Sequence, residues 1–217
     1  DSGVIVTNMA GVYASQGSEH AWGLLLCLAR VLPNMVDAEG NRALPVPPTE
    51  LTGGTLGVIG MGGFGREMVK RARGYDMTIL AIDSMGRDRP DEVAELKVST
   101  RDNLHDLLRR SDAVMIACPK TPQTHHLIGR DELAVMKKTA YLVNVTRGGI
   151  IDEEALIEAL TNGEIAGAGL DVSEMGEPLP ADSPHWGLPN LIFTPHQAGV
   201  SQHRKRKTFE FFCENLE

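Results

Sequence analysis

One short turn, Gly60-Met61-Gly62-Gly63-Phe64-Gly65, constrains the fold of this chain more than anything else in it. It directly follows an apolar run, Leu56-Gly57-Val58-Ile59, and directly precedes a stretch with helical spacing. A lone G-x-G-x-x-G is weak evidence, because glycine is common and tight turns have many uses. Between a strand and a helix, each glycine gains a task. The first (Gly60) permits the turn, the second (Gly62) lets backbone approach a pyrophosphate, and the third (Gly65) lets helix and strand pack closely. The helix N-terminus adds unpaired N–H groups and a field that favours phosphate.

The rest of the chain repeats that alternation. Apolar runs at Thr55–Ile59, Met77–Ile82, Ala113–Ala117, Tyr141–Val145, Ile165–Leu170 and Leu191–Phe193 predict strands. Helix-like spacing fills Phe64–Arg73, Asp102–Arg109, Arg130–Met136 and Asp152–Thr161, with Asp102 and Asp152 placed to favour the first turns. Strands alternating with helices predict an α/β fold, a doubly wound parallel sheet covered on both faces. Ser18–Leu32 predicts a preceding helix that Pro33 closes, Asn34–Thr52 a Pro-rich loop, and Gln202–Leu216 a terminal helix. Val4-Ile5-Val6 reads as a strand already under way. With Asp1 in first place, the chain reads as an excerpt of a longer one.

Composition narrows the function classes. Lys and Arg number 21 against 29 Asp and Glu, a net charge of −8, which is a poor footprint for nucleic acid. Three cysteines, Cys27, Cys118 and Cys213, lack any C-x-x-C spacing, so no disulfide scaffold or cysteine-built metal site is expected, and a reducing, cytoplasmic setting is. No apolar run approaches the length that spans a membrane. His125-His126 has no carboxylate or cysteine at a usual ligand spacing and reads as loop, so no metal site is expected.

In open α/β sheets, ligands sit at the carboxyl ends of the strands. Asp83 closes the second predicted strand, 18 residues after Gly65, where a carboxylate can accept both ribose hydroxyls and repel a 2′-phosphate. It favours NAD over NADP. Arg87 and Arg89 could serve a 2′-phosphate but read better as solvated loop. Later strand ends bring Cys118-Pro119, Arg147, a group of carboxylates (Asp171, Glu174, Glu177) and His196. Arginine can clasp a substrate carboxylate with its planar fork. Histidine can give or take the hydroxyl proton, and a glutamate beside it can orient it. The trio suits hydride transfer to or from a 2-oxo or 2-hydroxy acid.

With these residues in hand, the chain resembles the D-isomer-specific 2-hydroxyacid dehydrogenase family. The matching stretches are Val58–Gly65, Asn144–Asp152, Gly169–Val172, Glu177-Pro178-Leu179-Pro180 and Pro189–His196, in family order. The resemblance implies a Rossmann domain that binds NAD, with Arg147 on the substrate, His196 as acid/base and Glu177 as its partner. It implies Gly63 and Phe64 at the pyrophosphate and Asp83 at the ribose. Cys118, Pro119, Thr124, Val145, Thr146, Arg147, Asp171, His196 and Gly199 would line the rest of the cofactor, with Asp171 on the carboxamide. The segment from Asp171 to Glu177 is one residue longer than usual, leaving Glu174 a lesser candidate partner of His196. The family's second, substrate-binding domain is mostly absent. Residues 1–16 read as the end of that domain, 17–199 as the dinucleotide-binding domain with its linking helix, and 200–217 as a helix returning toward it. The implied activity is an oxidoreductase on small acids of the glyoxylate, hydroxypyruvate or phosphoglycerate type, homodimeric and inactive as this fragment. The other reading is an NAD(H)-responsive, corepressor-like binding protein on the same fold.

Overall fold

The computed structural model describes residues 3–34 and 47–216. Its strands are β1 (Thr55–Ile59), β2 (Thr78–Asp83), β3 (Glu95–Val98), β4 (Ala113–Ile116), β5 (Tyr141–Asn144), β6 (Gly167–Leu170) and β7 (Leu191–Phe193). All pair in parallel, in the order β3-β2-β1-β4-β5-β6-β7. The order reverses between β1 and β4, the place where such sheets open a ligand crevice. The described residues hold six α-helices: α1 (Ala14–Ala29), α2 (Gly63–Ala72), α3 (Arg101–Arg110), α4 (Arg130–Val135), α5 (Glu153–Thr161) and α6 (Arg204–Glu214). None of the described helices is long and apolar enough to cross a membrane.

A strand covered on both faces must be apolar throughout, and this made the runs legible. Leu56, Val58, Ile79, Ala81, Met115 and Val143 join one core with α1 and α2. Ile59, Leu80, Ile82, Val114, Ile116 and Leu142 join the other, with α3, α4 and α5. Gly57 lets α3 come close, since a Cβ there would lie 2.4 Å from Ser111 Oγ. Asp152 caps α5 by accepting from Ala155 N at 3.1 Å. At α3 the cap is Thr100, which accepts from Asn103 N, while Asp102 occupies the first turn.

Four expectations change. β3 was missed because Glu95-Leu96-Lys97-Val98 is an edge strand with only alternate apolar residues. α1 starts four residues earlier than its spacing suggests, with no side-chain cap to announce it. It also ends at Ala29, and Leu32–Asn34 form a separate 3-10 turn. Val4, Ile5 and Val6 join no strand and stay exposed, because neither sheet edge pairs with that run. Most of the expected Pro-rich loop, residues 35–46, lies outside the described residues. α6 buries none of its residues. It is tied to the segment before α1 by Tyr13 Oη and Thr208 Oγ1 at 3.2 Å and by Arg204 stacked over the Tyr13 ring.

Candidate active site

The glycine turn has the geometry its sequence implies. Gly60 adopts φ +99°, and a Cβ there would lie 2.8 Å from Cys118 N. At Gly65 a Cβ would lie 2.0 Å from Gly60 O, so only glycine lets α2 begin this close to β1. At Gly62 a Cβ would meet nothing within 4 Å, which leaves an open cradle at the N-terminus of α2. That open space is what a pyrophosphate requires. Gly63 lies under the chain leading into α1, 3.1 Å from Gly11 Cα once a Cβ is added. The Phe64 ring turns into α1, where a Cβ on Gly17 would meet it at 2.3 Å. Phe64 can therefore serve a phosphate with its backbone N–H but not with its ring.

Asp83 closes the cradle from the end of β2 and is buried. Its Oδ2 accepts from Met61 N at 2.7 Å and its Oδ1 from Met85 N at 2.8 Å. Arg87 Nη1 donates to both oxygens at 2.8 and 2.7 Å. Burial alone would raise this carboxyl. The two backbone N–H groups and the guanidinium outweigh it and hold the group below its ordinary range. The expectation that Arg87 is only solvated loop gives way: it is the ion-pair partner of Asp83. Arg89 donates to Val93 O at 2.5 Å and turns away.

At the end of β4, burial pushes the half-buried Cys118 thiol up to about 11, with the Asp83 charge adding to it, so the thiol stays protonated at neutral pH. Pro119 and Thr124 close the following loop through Thr124 Oγ1 donating to Pro119 O at 2.7 Å. After β5, Val145 is buried in the core and Thr146 donates its hydroxyl to Asn144 Oδ1. Asn144 also donates to Arg147 O at 2.9 Å. This holds the turn so that only Arg147 of the three reaches solvent. Arg147 donates to its neighbour's carbonyl, Thr146 O, and no ion pair among the described residues engages it. Gly148 permits the close pass of the loop after β6, since a Cβ there would lie 2.2 Å from Ser173 C.

That loop and the one after β7 carry the remaining candidates. Glu177 Oε2 lies 2.5 Å from His196 Nδ1, with both side chains about two-fifths exposed. Glu174 instead faces His126 Nε2, at 2.9 and 3.0 Å. Gly176, just before Glu177, adopts φ +127°. His196 has φ +53°, and its N–H donates to Asp171 O and Thr194 O. Asp171 is fully buried. Its Oδ1 accepts from Thr194 Oγ1 at 2.5 Å and Gln197 N at 2.8 Å, and its Oδ2 from Ala198 N at 2.7 Å. His20 of α1 approaches the same group, with Nε2 2.8 Å from Thr194 Oγ1. Three donors from residues 194–198 thus engage the Asp171 carboxylate. Gly199 follows buried Ala198 and stays partly exposed. Sequence reasoning missed His20, whose partners are more than 150 residues away.

A doubly wound parallel sheet with an open glycine cradle and a buried acid at the end of β2 defines an NAD(P)-binding domain of the Rossmann type. Over residues 22–198 the chain matches the family model described as D-isomer specific 2-hydroxyacid dehydrogenase, NAD binding domain, and it belongs to that family. It is 40% identical over 99% of its length to a glyoxylate reductase of Korarchaeum cryptofilum, covering 65% of that protein. It is 39% identical over its whole length to a D-3-phosphoglycerate dehydrogenase of Methanocaldococcus jannaschii, covering 41% of that one. Its fold superposes with a TM-score of 0.85 at 29% identity on a D-isomer specific 2-hydroxyacid dehydrogenase of Xanthobacter autotrophicus Py2 in complex with NADPH and MES. That match covers 99% of this chain and 87% of the other. The chain therefore spans about two-fifths to two-thirds of the curated relatives it matches.

Proposed function

We propose that this domain belongs to an oxidoreductase that moves a hydride between NAD(H) and a small 2-hydroxy or 2-oxo acid. The observation that carries the reading is the His196–Glu177 pair, at the carboxyl edge of the sheet that also carries Arg147 and the glycine cradle. The nicotinamide supplies or accepts the hydride when it is bound. Arg147 clasps the substrate carboxylate in two parallel N–H···O bonds. Glu177 holds the imidazole at Nδ1, so His196 offers Nε2 to the substrate oxygen. In reduction Nε2 donates a proton to the carbonyl oxygen; in oxidation it takes one from the hydroxyl. The named relatives are a reductase and dehydrogenases, which supports this reading over a corepressor-like one.

Asp83 supports NAD as the preferred cofactor, since a carboxylate at the end of β2 can accept ribose hydroxyls and repels a 2′-phosphate. The family resemblance supports a homodimer in the cytoplasm. It also supports assigning residues 1–16 and 200–217 to the side of a substrate-binding domain, with 17–199 as the cofactor domain. Sedimentation of the intact protein tests the dimer.

The test is NADH turnover by the intact protein with glyoxylate, hydroxypyruvate and pyruvate. His196→Ala should lower kcat by about a hundredfold or more, and Arg147→Lys should chiefly raise KM through loss of the bidentate grip. Turnover unchanged by His196→Ala would overturn the mechanism. NADH-dependent capture of a peptide motif with no turnover would favour the corepressor-like reading.

A further inference from the structure

We propose that His125, His126 and Glu174 bind a divalent transition-metal ion of the zinc class at the rim of the sheet's carboxyl edge. The three residues come from two loops 48 residues apart, after β4 and after β6. The His126 Nε2 atom lies 2.9 and 3.0 Å from the two oxygens of Glu174, and His125 Nε2 lies 3.9 Å from the nearer one. One ligand atom from each residue falls within 4.8 Å of the others. Neighbouring ligands of an ion with bonds of about 2.0–2.2 Å lie roughly 3–3.5 Å apart. To close on an ion the ligand atoms must draw together and the stacked imidazole rings must turn, so that both Nε2 lone pairs point to one place. The two imidazoles stack at 3.9 Å with planes 21° apart, and both present Nε2 to the same carboxylate.

The backbone beneath the cluster is fixed on both sides. His126 N donates to Gly149 O at 2.9 Å, and Ile128 continues that contact as a parallel bridge to Ile151. Glu174 N donates to Glu153 Oε1 at 2.7 Å, and Glu153 is itself buried. Gly149 leaves the room that Glu174 uses, since a Cβ there would lie 3.0 Å from Glu174 Oε2. The Lys120 ammonium faces the same space and opposes a cation there. Two imidazoles and one carboxylate suit zinc, copper, nickel or cobalt better than magnesium or calcium, and the exposed setting leaves water to complete the shell.

The experiment uses the intact protein without a polyhistidine tag, stripped with chelator and exchanged into metal-free buffer. Co²⁺ is titrated by visible absorption, and Zn²⁺ by calorimetry. One ion per chain is expected, with affinity falling on acidification as protons compete for the imidazoles. His126→Ala and Glu174→Gln should each weaken binding at least about tenfold, a loss that even outer-sphere partners of a metal can cause. The triple variant His125→Ala, His126→Ala, Glu174→Gln should abolish binding, with far-UV circular dichroism checking its fold. The pair His196→Ala, Glu177→Gln, which removes the other imidazole–carboxylate contact at this edge, should leave binding unchanged. No cobalt spectrum and no zinc heat with the wild-type protein would overturn the proposal. So would equal binding by the triple variant, or loss of binding in the His196/Glu177 pair. These readouts do not involve turnover, so they stand or fall apart from the oxidoreductase reading.

Discussion

Asp83 ends β2 and Asp171 follows β6, so two buried carboxylates sit at the same edge of one sheet, on either side of the point where strand order reverses. Each accepts two backbone N–H groups: Asp83 one from the glycine turn and one from its own following loop, Asp171 both from the segment after β7. They differ in the remaining partners. Asp83 is completed by Arg87, a half-exposed side chain that can swing away. Asp171 is completed by the Thr194 hydroxyl, inside a segment already pinned to it. Burial and charge alone do not mark a ligand site. What matters is whether a partner can yield its place to an incoming group. By that criterion Asp83 fits the ribose role proposed for it, and Asp171 holds the segment that carries His196.

The sharpest way to break this comparison is Asp171→Ala. It would leave the N–H groups of Gln197 and buried Ala198 without an acceptor, at a cost of about 3 kcal/mol, or a fall in Tm of about 6–12 °C. Asp83→Ala should cost less stability, about 1–2 kcal/mol, while raising the NADH Kd at least about tenfold through loss of charged bonds to the ribose. Thermal melts and NADH fluorescence titrations of both variants check the pair. Equal melting losses would erase the distinction.

Arg87→Ala should have a smaller, split effect. It frees Asp83 for the ribose, so NADH affinity should hold or rise, while NADPH affinity should drop about tenfold with the loss of the cation nearest a 2′-phosphate. A parallel fall in both affinities would show that Arg87 does not yield.

The acid limb of stability gives a weaker test. Burial raises Glu153, but His185, Ser173 and the N–H of Glu174 outweigh it, so it, like Asp83, is held below its ordinary range. A carboxyl lowered by folding stabilises above its unfolded pKa and loses that contribution as pH falls toward its folded one. Denaturant midpoints should therefore decline as pH drops below about 4.5. Arg87→Ala, which removes one of the groups lowering Asp83, should decline less steeply. The smallest effect expected is at Cys118, whose protonated thiol should react with iodoacetamide at pH 8 more slowly than an exposed thiol.

Much of this was legible in sequence because the signals were local. The glycine turn, the apolar runs of the inner strands and the Asp152 cap each depend on neighbours within a few residues. Glu177 was legible as the partner of His196 through its Glu-Pro-Leu-Pro setting, with Glu174 the lesser candidate. What stayed hidden were contacts made by topology. His20 reaches Thr194 and Asp171 only because α1 lies across β6, and Glu174 meets His126 only because β4 and β6 end at one edge. β3 was hidden for another reason: an edge strand needs only one apolar face, and Glu95 and Lys97 take the other role.

The placement of α1 also has a consequence in time. Leu24 and Leu28 pack against Gly169 and Gly167 of β6, where a Cβ would lie 2.9 Å from Leu24 Cβ and 3.2 Å from Leu28 Cδ2. The helix leaves the ribosome before β6 does, and its seat on β6 is made on the order of ten seconds later at ordinary synthesis rates. Through that interval Trp22 already has its place on α2, where Nε1 donates to Met68 O, but the Leu24–Leu28 side lacks its β6 seat, so a nascent chain stopped before β6 should be cut by protease within α1 faster than one extended past β7.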